Sequence, residues 1–268
     1  MIQKLRDRYR YSTILLKQLI KTDFKLRYQN SVLGYLWSLL RPLALFAILY
    51  FIFVKFLKIG TDIPDFPVYL LLGIVFWNFF AEVTTMSVSA IVSKGEIMRK
   101  INFPRYVIVL AGTFAAFINL LLNLLVVAGF MIANKVEIQA SAIFAPLLIL
   151  ELFMFALAAA FFLSAAFVRY RDVSYIWEVI MQGAFYATPI LYPLSQIPVR
   201  EAKILMLNPV AQIIQDLRQM LVTSETTTIA ELYGSRWIRF VPMAIATLCL
   251  VSAMLYFRKR SKSFAEDV

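Results

Sequence analysis

Tyr175, Glu178, Gln182, Phe185, Tyr186 and Pro189 fall on one side of an apolar stretch running from 173 to 192, with Ile176, Val179, Ile180, Gly183 and Ala187 opposite. Rings that carry hydrogen-bonding tips suit a sugar chain, whose CH faces stack on aromatic groups while its hydroxyls need polar partners; packing between helices is the other reading of such a stripe. A second stripe, Asn78, Glu82, Thr85 and Ser89, occupies a narrow arc of another apolar run, opposite Phe76, Phe79, Phe80 and Val83. Polar groups in hydrocarbon do not face lipid, so this arc is either a hydrogen-bonded contact between helices or the wall of a water-filled path. Bond-making chemistry is harder to find. The chain has no His, which removes the usual metal ligand and neutral-pH proton carrier, and no metal site is expected. It also lacks a GxxxxGK[ST] phosphate loop, a GxSxG elbow and an HExxH pair, so ATP hydrolysis or acyl transfer by those routes is not expected. Cys249 lies inside an apolar run and is read as an inert thiol.

The elements that hold these stripes are set by composition. Apolar residues make up 61% of the chain and charged residues 16%, against about 45–50% and about 25% in soluble domains, which places it in a bilayer. A bilayer core takes about 20 mostly apolar residues per helix, and runs at 36–57, 68–92, 106–132, 142–168, 173–192 and 237–257 qualify. The expected fold is therefore an all-α membrane protein of six transmembrane helices: a cytoplasmic N-terminus over 1–35, a transmembrane domain over 36–257 and a basic tail over 258–268. With both termini cytoplasmic, most of the 27 Lys and Arg fall on the inner side, leaving Lys58, Lys135, Arg200, Lys203, Arg218 and Arg236 outside. The net charge of +11 is thereby attributed to topology and anionic lipid, and no nucleic-acid partner is implied. The first 35 residues lack the continuous apolar core and small-residue site of a signal peptide, so no cleavage is expected.

Before the first span, Leu15, Leu16, Leu19, Ile20, Phe24 and Leu26 share a face opposite Lys17, Gln18, Lys21, Thr22 and Lys25, which predicts an interfacial amphipathic helix. Asp23 and Arg27 intrude on the apolar face at i and i+4 and are expected to pair. Pro42 predicts a bend at Arg41. The inner loop SKGEIMRKINFPR, 93–105, is long and charged enough to hold a short helix across the inner surface, where Glu96, Arg99 and Lys100 would form a docking handle. Small residues on the third and fourth spans predict close helix packing; Glu151 is an acid well inside the fourth with no partner evident. After Asn208 a helix is predicted to about Val222, too short to span and so re-entrant or interfacial.

Four segments in order, LIKTDFKLRYQNSVLGYLWSLLRPL at 19–43, IVSKGEIMRKINFPR at 91–105, FVRYRDVSYIWEVIMQGAFYATPILYPLSQIP at 167–198 and LNPVAQIIQDLRQML at 207–221, resemble the permease subunits of ABC-2 type polysaccharide exporters. That family exports O-antigens, teichoic acids and rhamnose-rich wall polysaccharides. The resemblance implies a homodimer in a bacterial cytoplasmic membrane, each copy bound to a separate ABC ATPase that carries the ATP and Mg, with no cofactor in this chain. It assigns the amphipathic helix, including Phe24, and the loop residues Gly95, Glu96, Arg99 and Lys100 to the ATPase interface. It also implies a lipid-linked glycan substrate, for which the two stripes, Tyr175, Glu178, Gln182, Phe185 and Tyr186 with Asn78, Glu82, Thr85 and Ser89, are the candidate path, and Arg27, Arg41 and Arg169 candidate contacts for the lipid diphosphate; positive-inside topology also accounts for these three. The alternatives are an ABC-2 exporter of a drug or lipid, or a channel or secondary transporter, although no inverted repeat is evident.

Overall fold

The computed structural model describes residues 2–27, 33–58, 60, 63–100 and 103–264, with the backbone alone for 2–11, 24, 26, 27 and 35. Among these residues the regular elements are helical: α1 Ile2–Arg27, α2 Trp37–Tyr50 continuing as a π-helical turn Phe51–Phe56, α3 Phe66–Val88, α4 Ala90–Ser93, α5 Gly95–Lys100 and α6 Tyr106–Ala133. They continue with α7 Ala145–Arg169, α8 Val173–Ala187, α9 Val199–Leu205, α10 Pro209–Leu221, α11 Ile229–Tyr233 and α12 Phe240–Arg260. Five helical stretches among the described residues are long and apolar enough to cross a membrane: Trp37–Phe56, Phe66–Val88, Tyr106–Ala133, Ala140–Arg169 and Arg236–Arg260.

The fifth predicted span is where structure and sequence differ. Helix α8 has 15 residues, about 22 Å at 1.5 Å per residue, short of a hydrocarbon core of about 30 Å. Pro189 is the cause. It disfavours helical geometry in the residue before it, and Thr188 is extended at φ −85°, ψ 136°. The chain then runs on without helix through Pro189, Ile190 and Leu191, all buried.

Helix α3 is the axis of the core. Its first half is apolar all round and nearly every residue from Val68 to Phe80 is buried, because α6, α7, α8 and α10 pack around the helix. Along α7, Ala156, Ala160 and Ser164 are fully buried, and small residues of this kind permit close helix packing; α12 lies against α7, with Phe161 meeting Phe257 edge to face. The small residues Ala115 and Ala116 of α6 are buried in the same way.

The helix is not interrupted where Pro42 follows Arg41: α2 runs through Pro42, which is buried. Proline cannot donate to the carbonyl four residues back, and Asn123 of α6 answers that oxygen: its Nδ2 donates to Ser38 O at 3.2 Å. Asp23 pairs with Lys94; the pairing expected with Arg27 involves a side chain outside the described residues. The apolar face of α1 also meets protein: Leu19 is buried against Val107 and Ala111 of α6, flanked by Leu15, Leu16 and Ile20, while Lys17, Lys21 and Lys25 stay exposed.

Candidate functional site

The two stripes come together. A groove of about 800 Å³ lies between α3 and α8 and is lined by Asn78, Thr85 and Ser89 from one helix and Glu178, Gln182, Phe185 and Tyr186 from the other. Leu45 of α2 closes one edge. Trp77, Ser174, Trp177 and Met181 also line it and were not singled out from sequence. A signal existed for them: Ser174, Trp177 and Met181 sit on the arc of α8 adjoining the predicted stripe, and Trp77 precedes Asn78. The rings are fixed by one another. Trp77 and Phe185 meet edge to face at 5.8 Å, and Phe185 meets Tyr186 at 5.3 Å. Helix α8 leans on α3 through Trp177, Met181 and Ala184, which leaves Glu178, Gln182 and Tyr186 exposed on the groove side.

Two predicted path residues fall outside the lining. Asn119 of α6 donates to Glu82 Oε1 at 2.8 Å, and the neighbouring Asn123 donates to Asn119 O at 2.8 Å, so Glu82 belongs to a polar seam between α3 and α6. One stripe thus contains both a helix contact and a groove wall. Tyr175 keeps the arc of Gln182 and Tyr186 but sits lower on α8, 72% exposed and away from the groove. The opposite arc does not pack within the chain either, with Ile176 and Ile180 exposed and Val179 at 68%.

Of the candidate diphosphate contacts, Arg41 is exposed one turn before Leu45 on the same face of α2 and is not among the residues that line the groove. Arg169 is exposed over the ring of Tyr170 at 5.5 Å. The side chain of Arg27 lies outside the described residues, as does that of Phe24. In the inner loop Gly95 is buried at the start of α5, and Glu96, Arg99 and Lys100 are exposed. Lys94 Nζ grips both carboxylate oxygens of Asp23, at 2.8 and 2.7 Å, joining the loop to α1 across 71 residues of sequence.

Sequence reasoning missed Arg218. Assigned from charge to an outer loop, it is fully buried on α10, where Nε donates to Tyr69 O at 2.9 Å, Nη1 to Pro189 O at 2.6 Å and Nη2 to Ile190 O at 2.8 Å. Its guanidinium lies 3.6 Å from the centre of the Tyr69 ring. Gly73, one turn along α3 from Tyr69, provides the room, since a Cβ there would collide with Nη2. The carbonyls left free by the break after α8 are therefore taken up by a side chain from α10. Helix α10 starts where sequence places it, with Asn208 Oδ1 accepting from Val210 N–H at 3.0 Å and Pro209 in the first turn. It is polar yet almost wholly buried. Gln212 Nε2 donates to Asp216 Oδ2 at 2.7 Å, Arg239 approaches the same oxygen at 3.7 Å, and Tyr69 Oη donates to Gln215 Oε1 at 3.2 Å. Glu151 is buried within electrostatic range of Asp216.

Apolar helices of spanning length, a groove walled by rings and amides, and a buried break in one helix define a multi-pass membrane component with an open groove along its side. The chain belongs to the ABC-2 type transporter family, whose pattern it matches over residues 14–222. It is similar to an O-antigen export system permease protein RfbA of Myxococcus xanthus, 28% identical over 274 residues that cover all of both chains. It is also similar to a protein of that name from Klebsiella pneumoniae, 30% identical over 218 residues, 81% of this chain and 83% of that one.

Proposed function

We propose that this permease carries a lipid-linked cell-surface polysaccharide across a bacterial cytoplasmic membrane, driven by ATP that a separate ABC ATPase subunit binds with Mg and hydrolyses. The observation that carries the proposal is the groove between α3 and α8, where Trp77, Trp177, Phe185 and Tyr186 alternate with Asn78, Thr85, Ser89 and Gln182. Rings offer stacking for sugar faces and the polar tips accept and donate to hydroxyls, in weak contacts repeated along the route, which suit sliding better than a tight site would. The names of the similar proteins support the same class of cargo.

Both termini are placed in the cytoplasm on the distribution of Lys and Arg, with α8 and the segment after it as the sixth membrane element and α9 and α10 dipping back from the outer side. Two copies would face each other across their grooves, since a single chain leaves Tyr186 and the apolar arc of α8 exposed. Arg41 and Arg169 would meet the lipid diphosphate at the inner rim, and Arg27 would join them. The ATPase would dock on α1 and α5, with Phe24, Gly95, Glu96, Arg99 and Lys100 at the contact. Depletion of the protein, followed by chemical analysis of surface and lipid-linked glycan, tests the cargo. Loss of surface glycan with accumulation of its lipid-linked form is expected; unchanged glycan with altered drug sensitivity would overturn it.

A further inference from the structure

The charge of the groove bears on which polymers pass along it. Among the described residues that line it, Glu178 is the carboxylate and no Lys or Arg is present; the other polar groups are neutral amides and hydroxyls. Glu178 is exposed on the groove side of α8 and forms no ion pair or hydrogen bond among the described residues. The exposed cations Arg41 and Arg169 are not in the lining. A polymer with a phosphodiester in every repeat needs cations along its route, because each phosphate otherwise loses water without gaining a charged donor. Here each phosphate would instead pass a carboxylate, in a groove whose apolar walls weaken screening. An uncharged glycan meets the opposite situation. Its hydroxyls can donate to Glu178, and hydrogen bonds to a charged acceptor are stronger than neutral ones.

We infer that Glu178 sets the charge class of the cargo, so that the groove admits uncharged glycan chains and rejects polyanionic ones. This rests on the proposed glycan path. In a dimer the selection would act twice, since each copy brings its own Glu178. Discrimination of this kind works by placing a repulsive group against the wrong ligand rather than by tighter contact with the right one.

The test uses the full-length chain in lipid nanodiscs at low salt, titrated with two probes of equal length: a neutral hexose oligosaccharide and a glycerol phosphate oligomer. Binding is read from the fluorescence of Trp77 and Trp177, and the ratio of the two affinities is the readout. The neutral probe is expected to bind about fivefold more tightly, in keeping with one partly exposed like-charge contact. Glu178→Gln should bring the ratio close to one. Glu178→Lys should reverse it, and that reversal should fade as salt rises. Wild-type protein that binds the glycerol phosphate oligomer as tightly as the neutral one would overturn the inference while leaving the groove as a glycan site. Binding of neither probe would reject the groove as the path itself.

Discussion

Helix α10 and the groove are built from the same kinds of side chain and treat them in opposite ways. On α10, Gln212, Gln215, Asp216 and Arg218 are buried and tied to neighbours, and Arg218 alone holds three backbone carbonyls. In the groove, Glu178, Gln182 and Tyr186 are exposed and their tips stay available. A polar group in an apolar helix is thus not by itself a sign of transport. What separates the two roles is whether the group is buried against a hydrogen-bonding partner within the chain or left exposed on the groove.

That contrast predicts different failures. Arg218→Met should cause the largest loss, because Pro189 O and Ile190 O would be left buried without donors at about 1–3 kcal/mol each. Thermal unfolding of purified protein should show the midpoint falling sharply and the yield of monodisperse material collapsing. Stability within error of wild type would remove Arg218 as the group that holds the break. Gly73→Ala approaches the same contact from the other side. Its Cβ would push on the guanidinium, and a cost of about 1–3 kcal/mol is expected from overpacking. Combining it with Arg218→Met should cost less than the two losses added, since the collision then has no partner; simple additivity would show that the two sites are independent.

Groove variants should behave the other way, leaving the fold intact and slowing transport. Gln182→Ala and Tyr186→Ala change exposed groups, so stability should stay within about 0.5 kcal/mol. Each should slow export by an amount corresponding to about 1 kcal/mol, and the double change more. Tyr175→Ala, outside the lining, should be milder than either. Export is measured as the rate at which surface glycan reappears after induction. If Tyr175→Ala were as damaging as Tyr186→Ala, the path would extend along the whole arc of α8 toward Arg171, beyond the groove walls.

Much of this was legible in sequence because periodicity reports which face a residue takes. Two stripes picked out by angle alone, Asn78–Thr85–Ser89 and Glu178–Gln182–Phe185–Tyr186, do meet in one groove. Periodicity does not report what stands opposite a face. Glu82 shares the arc of Asn78 and Thr85, yet at its depth Asn119 of α6 is within reach. Arg218 was unreadable for a related reason. Charge counting assigns cations to loops, and only the placement of α10 against α3, with Gly73 opposite, turns an apparent loop cation into a buried clamp. The shortened α8 could have been anticipated, since Pro189 falls inside the predicted span and a proline there ends the helix at the residue before it.

The ion pair between Asp23 and Lys94 lies between these extremes, partly buried and made between α1 and the residue that precedes α5. Its side chains are 19% and 21% exposed, so screening is incomplete and the pair should contribute about 0.5–1 kcal/mol. Lys94→Ala and Asp23→Ala should each lower the unfolding midpoint slightly, and the double-mutant cycle should return a coupling of that size. The more informative measurement is recovery of the ATPase in a pull-down. If α1 and α5 form one docking surface, breaking the link should loosen α5 against α1 and weaken recovery about as much in either single variant, while the swap Asp23→Lys with Lys94→Asp should restore it, because the attraction is kept with its direction reversed. Normal recovery in both single variants would mean that the pair only stabilises the fold and that docking depends on Arg99 and Lys100 directly. In that case reversing those two exposed charges should abolish recovery on its own.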